Sequence, residues 1–185
     1  VALGMTFVII TAGIDLSVGS IVALAAVVCT GVMKNGITIF GYSLLAPPSA
    51  GLGVPLGILA GLLLGAFLGL FNGFFITKFN MPPFVVTLAM MTIARGLAFI
   101  YTEGFPISDL PDAFIYLGAG YLGPLPLPVI MMFLLALLMH YILTRTTFGA
   151  QLKLTGSAKK AARFSGINVE FVVGMAFVLA AISAT

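Results

Sequence analysis

An all-α fold is predicted for this chain, a polytopic transmembrane bundle of about six spans with the first and last truncated, and three observations predict it. Of its 185 residues, 61% are hydrophobic and 7% charged, with a mean hydropathy of +1.24; a soluble domain of this size carries roughly a quarter charged residues. The run from Asn35 to Thr77 holds no charge at all, and that from Ala113 to Thr144 has only His140 as a group that charges near neutral pH. The few remaining charges sort by sign between connectors. Apolar runs of this length cross a bilayer.

Six apolar segments follow one another. They are Val1–Ala12, Leu16–Met33, Gly53–Thr77, Pro82–Tyr101, Leu125–Leu143, and Phe171 onward. Each complete one has the roughly 17–25 residues that the hydrocarbon core requires. Prolines sit mostly at their borders, at Pro47-Pro48, Pro82-Pro83, and Pro124, Pro126 and Pro128, where a missing N–H costs little. Tyr101, Tyr116, Tyr121 and Tyr141 lie near span ends, as an interfacial aromatic belt requires. The chain starts at Val1 without a methionine and ends within an apolar run, so a single transmembrane domain over 1–185, incomplete at both ends, is expected; no basic n-region of a signal peptide precedes the first span.

Charge sets the orientation. The connector Arg145–Glu170 carries five bases against one acid, a net of +4, whereas Glu103–Asp112 carries three acids and no base. The positive-inside rule places the first in the cytoplasm and the second outside. Counting spans backward puts Lys78-Phe79-Asn80 inside, Lys34 outside as a mild violation, and the turn at Asp15 at the cytoplasmic side or re-entrant. The sequence pI of about 9.2 thus reads as topology and not as a nucleic-acid footprint.

In the third span Gly53, Gly57, Gly61, Gly65, Gly69 and Gly73 recur at every fourth position. Lipid tails supply no hydrophobic drive between helices, so a ridge without side chains serves close backbone approach. This helix belongs at the centre of the bundle, with Gly57, Gly61, Gly65 and Gly69 as packing residues and Asn72 as the polar exception at the cytoplasmic end of the ridge.

The stretch Gly13-Ile14-Asp15-Leu16-Ser17-Val18-Gly19-Ser20 is a polar break between two apolar runs. Asp15 or Ser17 is placed to cap the helix that follows, and the glycines permit a tight or re-entrant backbone. An acid near membrane depth is expensive unless paired, capped or facing water, which makes Asp15 and Ser17 candidates for the lining of a pathway or its gate as well as for a purely structural cap. Arg95 interrupts an apolar span in its outer half and has Glu103 two turns further on, or the interface, to reach for. His140 is an interfacial residue, and Cys29, the single cysteine, a small apolar-segment residue that leaves no disulfide or cysteine-based metal site.

From Ser157 a short helix is predicted, with Ala158, Ala161, Ala162 and Ser165 forming a small-residue face, Lys159, Lys160 and Arg163 elsewhere, and Gly166 as its stop. Such a helix is suited to a groove on a soluble partner. No GxxxxGK[ST] phosphate loop and no His/Asp/Glu cluster occurs in the sequence, so neither ATP binding by that device nor a metal or hydrolytic site is predicted.

The stretch Thr11-Ala12-Gly13-Ile14-Asp15-Leu16-Ser17-Val18-Gly19-Ser20 resembles the hallmark of the membrane permeases of ribose/xylose/galactose-type ATP-binding cassette importers. The resemblance continues through Phe71-Asn72-Gly73, Pro83 to Leu88, Ala94-Arg95-Gly96, Tyr101-Thr102, Phe148-Gly149 and Thr155 to Val169, in order over nearly the whole chain. Where the family usually shows Gly-Gly-Asn, this chain has Thr155-Gly156-Ser157, in which Ser157 keeps the ability to cap.

The resemblance implies a permease of about ten spans in an inner bacterial membrane, paired with a second copy, with an ATPase subunit on the cytoplasmic face that binds the ATP and an extracytoplasmic sugar-binding protein outside. It implies that residues 145–170 form the coupling segment, with Gly156, Ala161, Ala162, Arg163 and Gly166 at the ATPase contact. Asp15, Ser17, Asn72 and Arg95 are the polar candidates for the pathway. Two other readings compete: an ion-coupled secondary transporter using Asp15 as its intramembrane acid, and a purely structural membrane subunit assembled by the glycine ridge.

Overall fold

The structure, a computed structural model, describes residues 1–36, 38–39, 42–43 and 52–185. Pro47-Pro48, expected to open the third span, lies outside the described residues. The order of helices is α1 (Ala2–Ile10), α2 (Val18–Asn35), α3 (Gly53–Lys78), α4 (Pro83–Thr102), α5 (Asp112–Ala119), α6 (Leu127–Arg145), α7 (Thr147–Ser157), α8 (Lys159–Phe164) and α9 (Val169–Ala184). Two antiparallel two-residue pairs, β1 (Thr38–Ile39) with β2 (Tyr42–Ser43) and β3 (Tyr121–Leu122) with β4 (Leu125–Pro126), occupy connectors. Among the described residues α2, α3, α4 and α6 have the length and composition to cross a membrane; α1 and α9 are apolar but shorter.

Helix α3 is the centre, and its glycines divide between two neighbours. A side chain at Gly57 would stand 2.6 Å from the Cys29 carbonyl, and one at Gly61 3.2 Å from the Ala25 carbonyl, so the outer half of the ridge seats α2. At Gly69 the obstacles are the Phe177 carbonyl at 2.8 Å and Val178 Cα at 2.9 Å, and at Gly73 they are Gly174 Cα at 2.7 Å, so the inner half seats α9. Gly65 opposes the side chain of Thr185. The division follows from helix geometry: with 3.6 residues per turn, a step of four rotates the stripe by about 40°, and Gly57 and Gly69 face roughly 120° apart.

Apolar clusters fill what the ridge leaves open. Near one end Val8, Ile76, Val86, Ala162, Val169, Val173 and Phe177 join α1, α3, α4, α8 and α9; further along, Ile21, Leu24, Leu68, Met90 and Ala94 join α2, α3 and α4. Helix α6 buries only Met139, and most of α4 and α6 turns large apolar side chains outward, the surface a helix shows to lipid or to further spans. Pro83 and Pro128 stand in the first turns of α4 and α6, as the sequence predicts.

The two ends differ in charge. At one, Lys34 Nζ donates to the Ser108 carbonyl at 3.0 Å and sits 3.5 Å from Asp109 Oδ2, so the lysine that departs from the charge rule lies beside the acidic connector. At the other, the α3–α4 turn, α8 and the α1–α2 break come together. The positive-inside rule predicts that this basic end is the cytoplasmic one.

The connector 145–170 holds more structure than the single short helix expected. Helix α7 fills its first half, capped by Thr146 Oγ1, which accepts from Gly149 N at 3.3 Å. Ser157 does not cap the next helix: its hydroxyl donates back to the Lys153 carbonyl at 2.9 Å, making it the last residue of α7, and Ala158 enters α8 with no side-chain cap. Gly166, with φ of +78°, stops α8 as expected, and Asn168 Oδ1 accepts from Phe171 N to open α9.

Candidate functional site

The break between α1 and α2, Gly13 to Ser17, belongs to neither helix nor strand, and burial alternates along it. Gly13, Asp15 and Ser17 turn into the bundle while Ile14 and Leu16 turn outward, 55% and 41% exposed. The polarity is reversed from that of a soluble segment, polar side chains inward and apolar ones outward, as a segment between a protein core and lipid must have it.

Asp15 is 4% exposed and is satisfied locally: its Oδ1 accepts from Ser17 N at 2.8 Å and from Ser17 Oγ at 2.6 Å. The aspartate therefore closes an Asx turn ahead of α2, whose cap residue is Ser17. Ser17, having given its proton to Asp15, accepts from Asn72 Nδ2 at 2.9 Å. Asn72 is fully buried, and its Oδ1 has no partner among the described residues. Three of the four polar residues singled out in the sequence thus form one chain of hydrogen bonds, each worth about 0.5–1.5 kcal/mol net but about 1–3 kcal/mol if left half-made. Asn72 precedes Lys78 by six residues, so the network is recessed roughly 9 Å from the inner end of α3.

Thr87 completes the site and was not singled out from sequence. Fully buried on α4, its Oγ1 donates to the Pro83 carbonyl at 2.9 Å and lies 3.3 Å from the carbonyl of Ile14, so it ties α4 to the break. The available signal was a hydroxyl in an apolar helix four residues after the proline that opens it.

Arg95 does not belong to this constellation. It stands twelve residues into α4, about 18 Å from the helix start, exposed on the outer surface beside Gly96, and no ion pair joins it to Glu103. Glu103 ends α4 in a left-handed conformation, φ of +53°, and lies in the following turn.

The coupling candidates also separate. Ala161, Arg163 and Gly166 are exposed, with Arg163 3.5 Å from Glu170 in an exposed pair of little energetic weight. Ala162 is 0% exposed, packed against this chain's own core, and so is corrected from a partner contact to the residue that pins α8 to the bundle. Gly156 is likewise a packing residue: a side chain there would collide with the carbonyl of Ile10. The small-residue face is therefore split, Ala162 inward and Ala158, Ala161 and Ser165 outward. Phe164, 92% exposed at the end of α8, was overlooked in the sequence although a large aromatic beside an otherwise basic helix is itself a signal.

A polytopic helical membrane chain, broken near its second span and tied by a buried polar network, is the class these features define. The family described as branched-chain amino acid transport system / permease component matches residues 1–185, and the chain belongs to it. Among curated relatives, the ribose import permease of Bacillus subtilis (strain 168) is 40% identical over 97% of this chain and 52% of its own length. The galactofuranose transporter permease of Escherichia coli (strain K12) is 35% identical over 99% and 49%, and the D-allose transport system permease of the same strain 30% identical over 100% and 52%. The chain spans about half the length of the curated relatives it matches. No solved structure matches it. It is a multi-pass protein of the inner membrane.

Proposed function

We propose that the complete protein is the membrane-spanning permease subunit of an ATP-binding cassette importer and forms the translocation path for a monosaccharide or a related small polar solute. The observation that carries this reading is the relatedness of essentially the whole chain to permeases named for ribose, galactofuranose and allose. The ion-coupled alternative rested on Asp15, whose hydrogen bonds to Ser17 give it a structural task. In this proposal two copies pair around the path, a separate ATPase binds and hydrolyses ATP at the cytoplasmic face, and an extracytoplasmic binding protein delivers the sugar.

Helix α8 is the proposed ATPase contact, through Ala161, Arg163 and Phe164. Its buried Ala162 rests in the cluster that includes Ile76, Val86, Val173 and Phe177, and Phe177 in turn stands 3.4 Å from where a side chain on Gly13 would begin. These contacts join α8 to the helices around the break and are the proposed route of coupling.

Purifying the full-length protein from native membranes in mild detergent, with mass spectrometry of what accompanies it, tests the contact. An ATPase subunit is expected with the wild type and lost with Ala161→Trp or Phe164→Ala, while the permease itself stays monodisperse. Ala162→Trp is expected to lower the permease's own stability, because overpacking a filled core costs about 1–3 kcal/mol. Undiminished ATPase recovery with both surface variants would overturn the assignment.

A further inference from the structure

The outward face of α4 carries an inference that rests on the importer reading and names part of its path. Ala94 is fully buried, with Met90 and Ala98 on the same side of the helix. At about 100° per residue, Thr92 and Gly96 point roughly 160° away from Ala94, and Arg95 stands on the flank beside them. All three are exposed, and a side chain on Gly96 would meet nothing within 4 Å. Outward positions on α3 and α6 are large and apolar by contrast, Leu63 and Phe67 on the one and Leu134 and Leu137 on the other. Those faces match lipid tails, and the face with Thr92, Arg95 and Gly96 does not.

Depth decides what Arg95 can face. It lies about 18 Å from the start of α4 and about 10 Å from Thr102 at its outer end. Cα–Cβ bonds lean toward the N-terminus of a helix, here the inner end, so the side chain sets out toward the middle of the bilayer and away from the nearer surface. A guanidinium at that depth is costly against lipid and stable against water or an anion. No ion pair involves Arg95 among the described residues.

We propose that Thr92, Arg95 and Gly96 line the water-filled path, and that Arg95 and Thr92 hydrogen-bond the hydroxyls of the passing sugar. Arg95 offers N–H donors only, whereas Thr92 Oγ1 gives its proton to the Ala89 carbonyl at 2.7 Å and keeps lone pairs to accept. A sugar hydroxyl both donates and accepts, so a donor and an acceptor three residues apart on one helix are matched to it. Gly96 leaves room beside them for the ring.

Single cysteines in a Cys29→Ala background of the full-length protein, in membranes with its partner subunits, test the lining with a charged, membrane-impermeant thiol reagent. Thr92→Cys and Gly96→Cys are expected to react at least about tenfold faster than Ile93→Cys and Leu97→Cys, which lie at nearly the same depth on the opposite, apolar flank. Arg95→Leu, a change that a lipid-facing position accepts, is expected to lower uptake about tenfold while the amount of permease in the membrane stays normal, and Arg95→Lys to recover most of that loss. Equal reactivity on the two flanks, or undiminished uptake in Arg95→Leu, would overturn the proposal. The labelling needs neither ATP nor sugar, so fast reaction at Thr92→Cys and Gly96→Cys in a protein whose uptake followed an ion gradient would refute the importer reading and leave the lining in place.

Discussion

Gly73→Leu is expected to remove most of the folded protein from the membrane. Any side chain at Gly73 starts 2.7 Å from Gly174 Cα and 3.0 Å from the Gly174 carbonyl, so the obstacle is backbone and cannot rotate away. Helices α3 and α9 would have to separate, and with them the cluster around Val173 and Phe177. Overpacking costs about 1–3 kcal/mol where side chains can yield, and more where they cannot. Gly69→Leu, against the Phe177 carbonyl, is expected to behave alike. Gly65→Leu meets the side chain of Thr185 first, not backbone, and is expected to be milder, while Gly96→Leu, with nothing within 4 Å of its Cβ, is expected to be neutral. Yield and thermal unfolding of the full-length variants in detergent check the ranking; a Gly73→Leu protein as stable as the wild type would show that α9 does not seat on the ridge.

Asp15 gives the second large effect, and the chemistry of the replacement decides its sign. Asp15→Leu removes the acceptor of both Ser17 N and Ser17 Oγ, leaving buried donors unpaired and the hydroxyl that holds Asn72 free to turn. At about 1–3 kcal/mol for each unpaired group, a loss of uptake of about tenfold or more is expected. Asp15→Asn keeps an oxygen at the Oδ1 position and is expected to retain uptake within about twofold, because the role derived for the residue is to shape the break. Uptake abolished in Asp15→Asn, with normal amounts of protein in the membrane, would mean that the negative charge itself is required.

These two sites also show what was legible beforehand. The four complete spans were, because a run from Asn35 to Thr77 without a charge leaves few alternatives in a bilayer, and α3 ends within a residue of the expected end. So was the set Asp15, Ser17 and Asn72, since polar groups in an apolar chain must find one another or water. Their connection was not, because residues 15 and 72 meet only through the packing of α2 on α3. The ridge was plain as a pattern, yet its division between α2 and α9 required the rotation of a four-residue step over several turns.

Connector 145–170 was the weakest reading. Small residues there suggested one exposed face, but Ala162 looks inward and Ala161 outward, since α8 is a six-residue helix lying on the bundle. Adjacent alanines carry no label of which side is core. Arg95 was grouped with the polar candidates because it interrupts an apolar span; it stands about 18 Å along α4 from the start of that helix, apart from the network that Thr87 joins.

The energy source of uptake tests the central claim most directly. Cells expressing the full-length protein together with its own partner subunits would be given labelled ribose, allose and galactose in turn, and the transported sugar followed under two treatments: a protonophore with ATP held constant, and ATP depletion with the gradient held by respiration. An importer permease predicts that uptake survives the first and stops under the second. Uptake that stops with the protonophore and survives ATP depletion would contradict the account, and would return Asp15 to the position of a coupling acid.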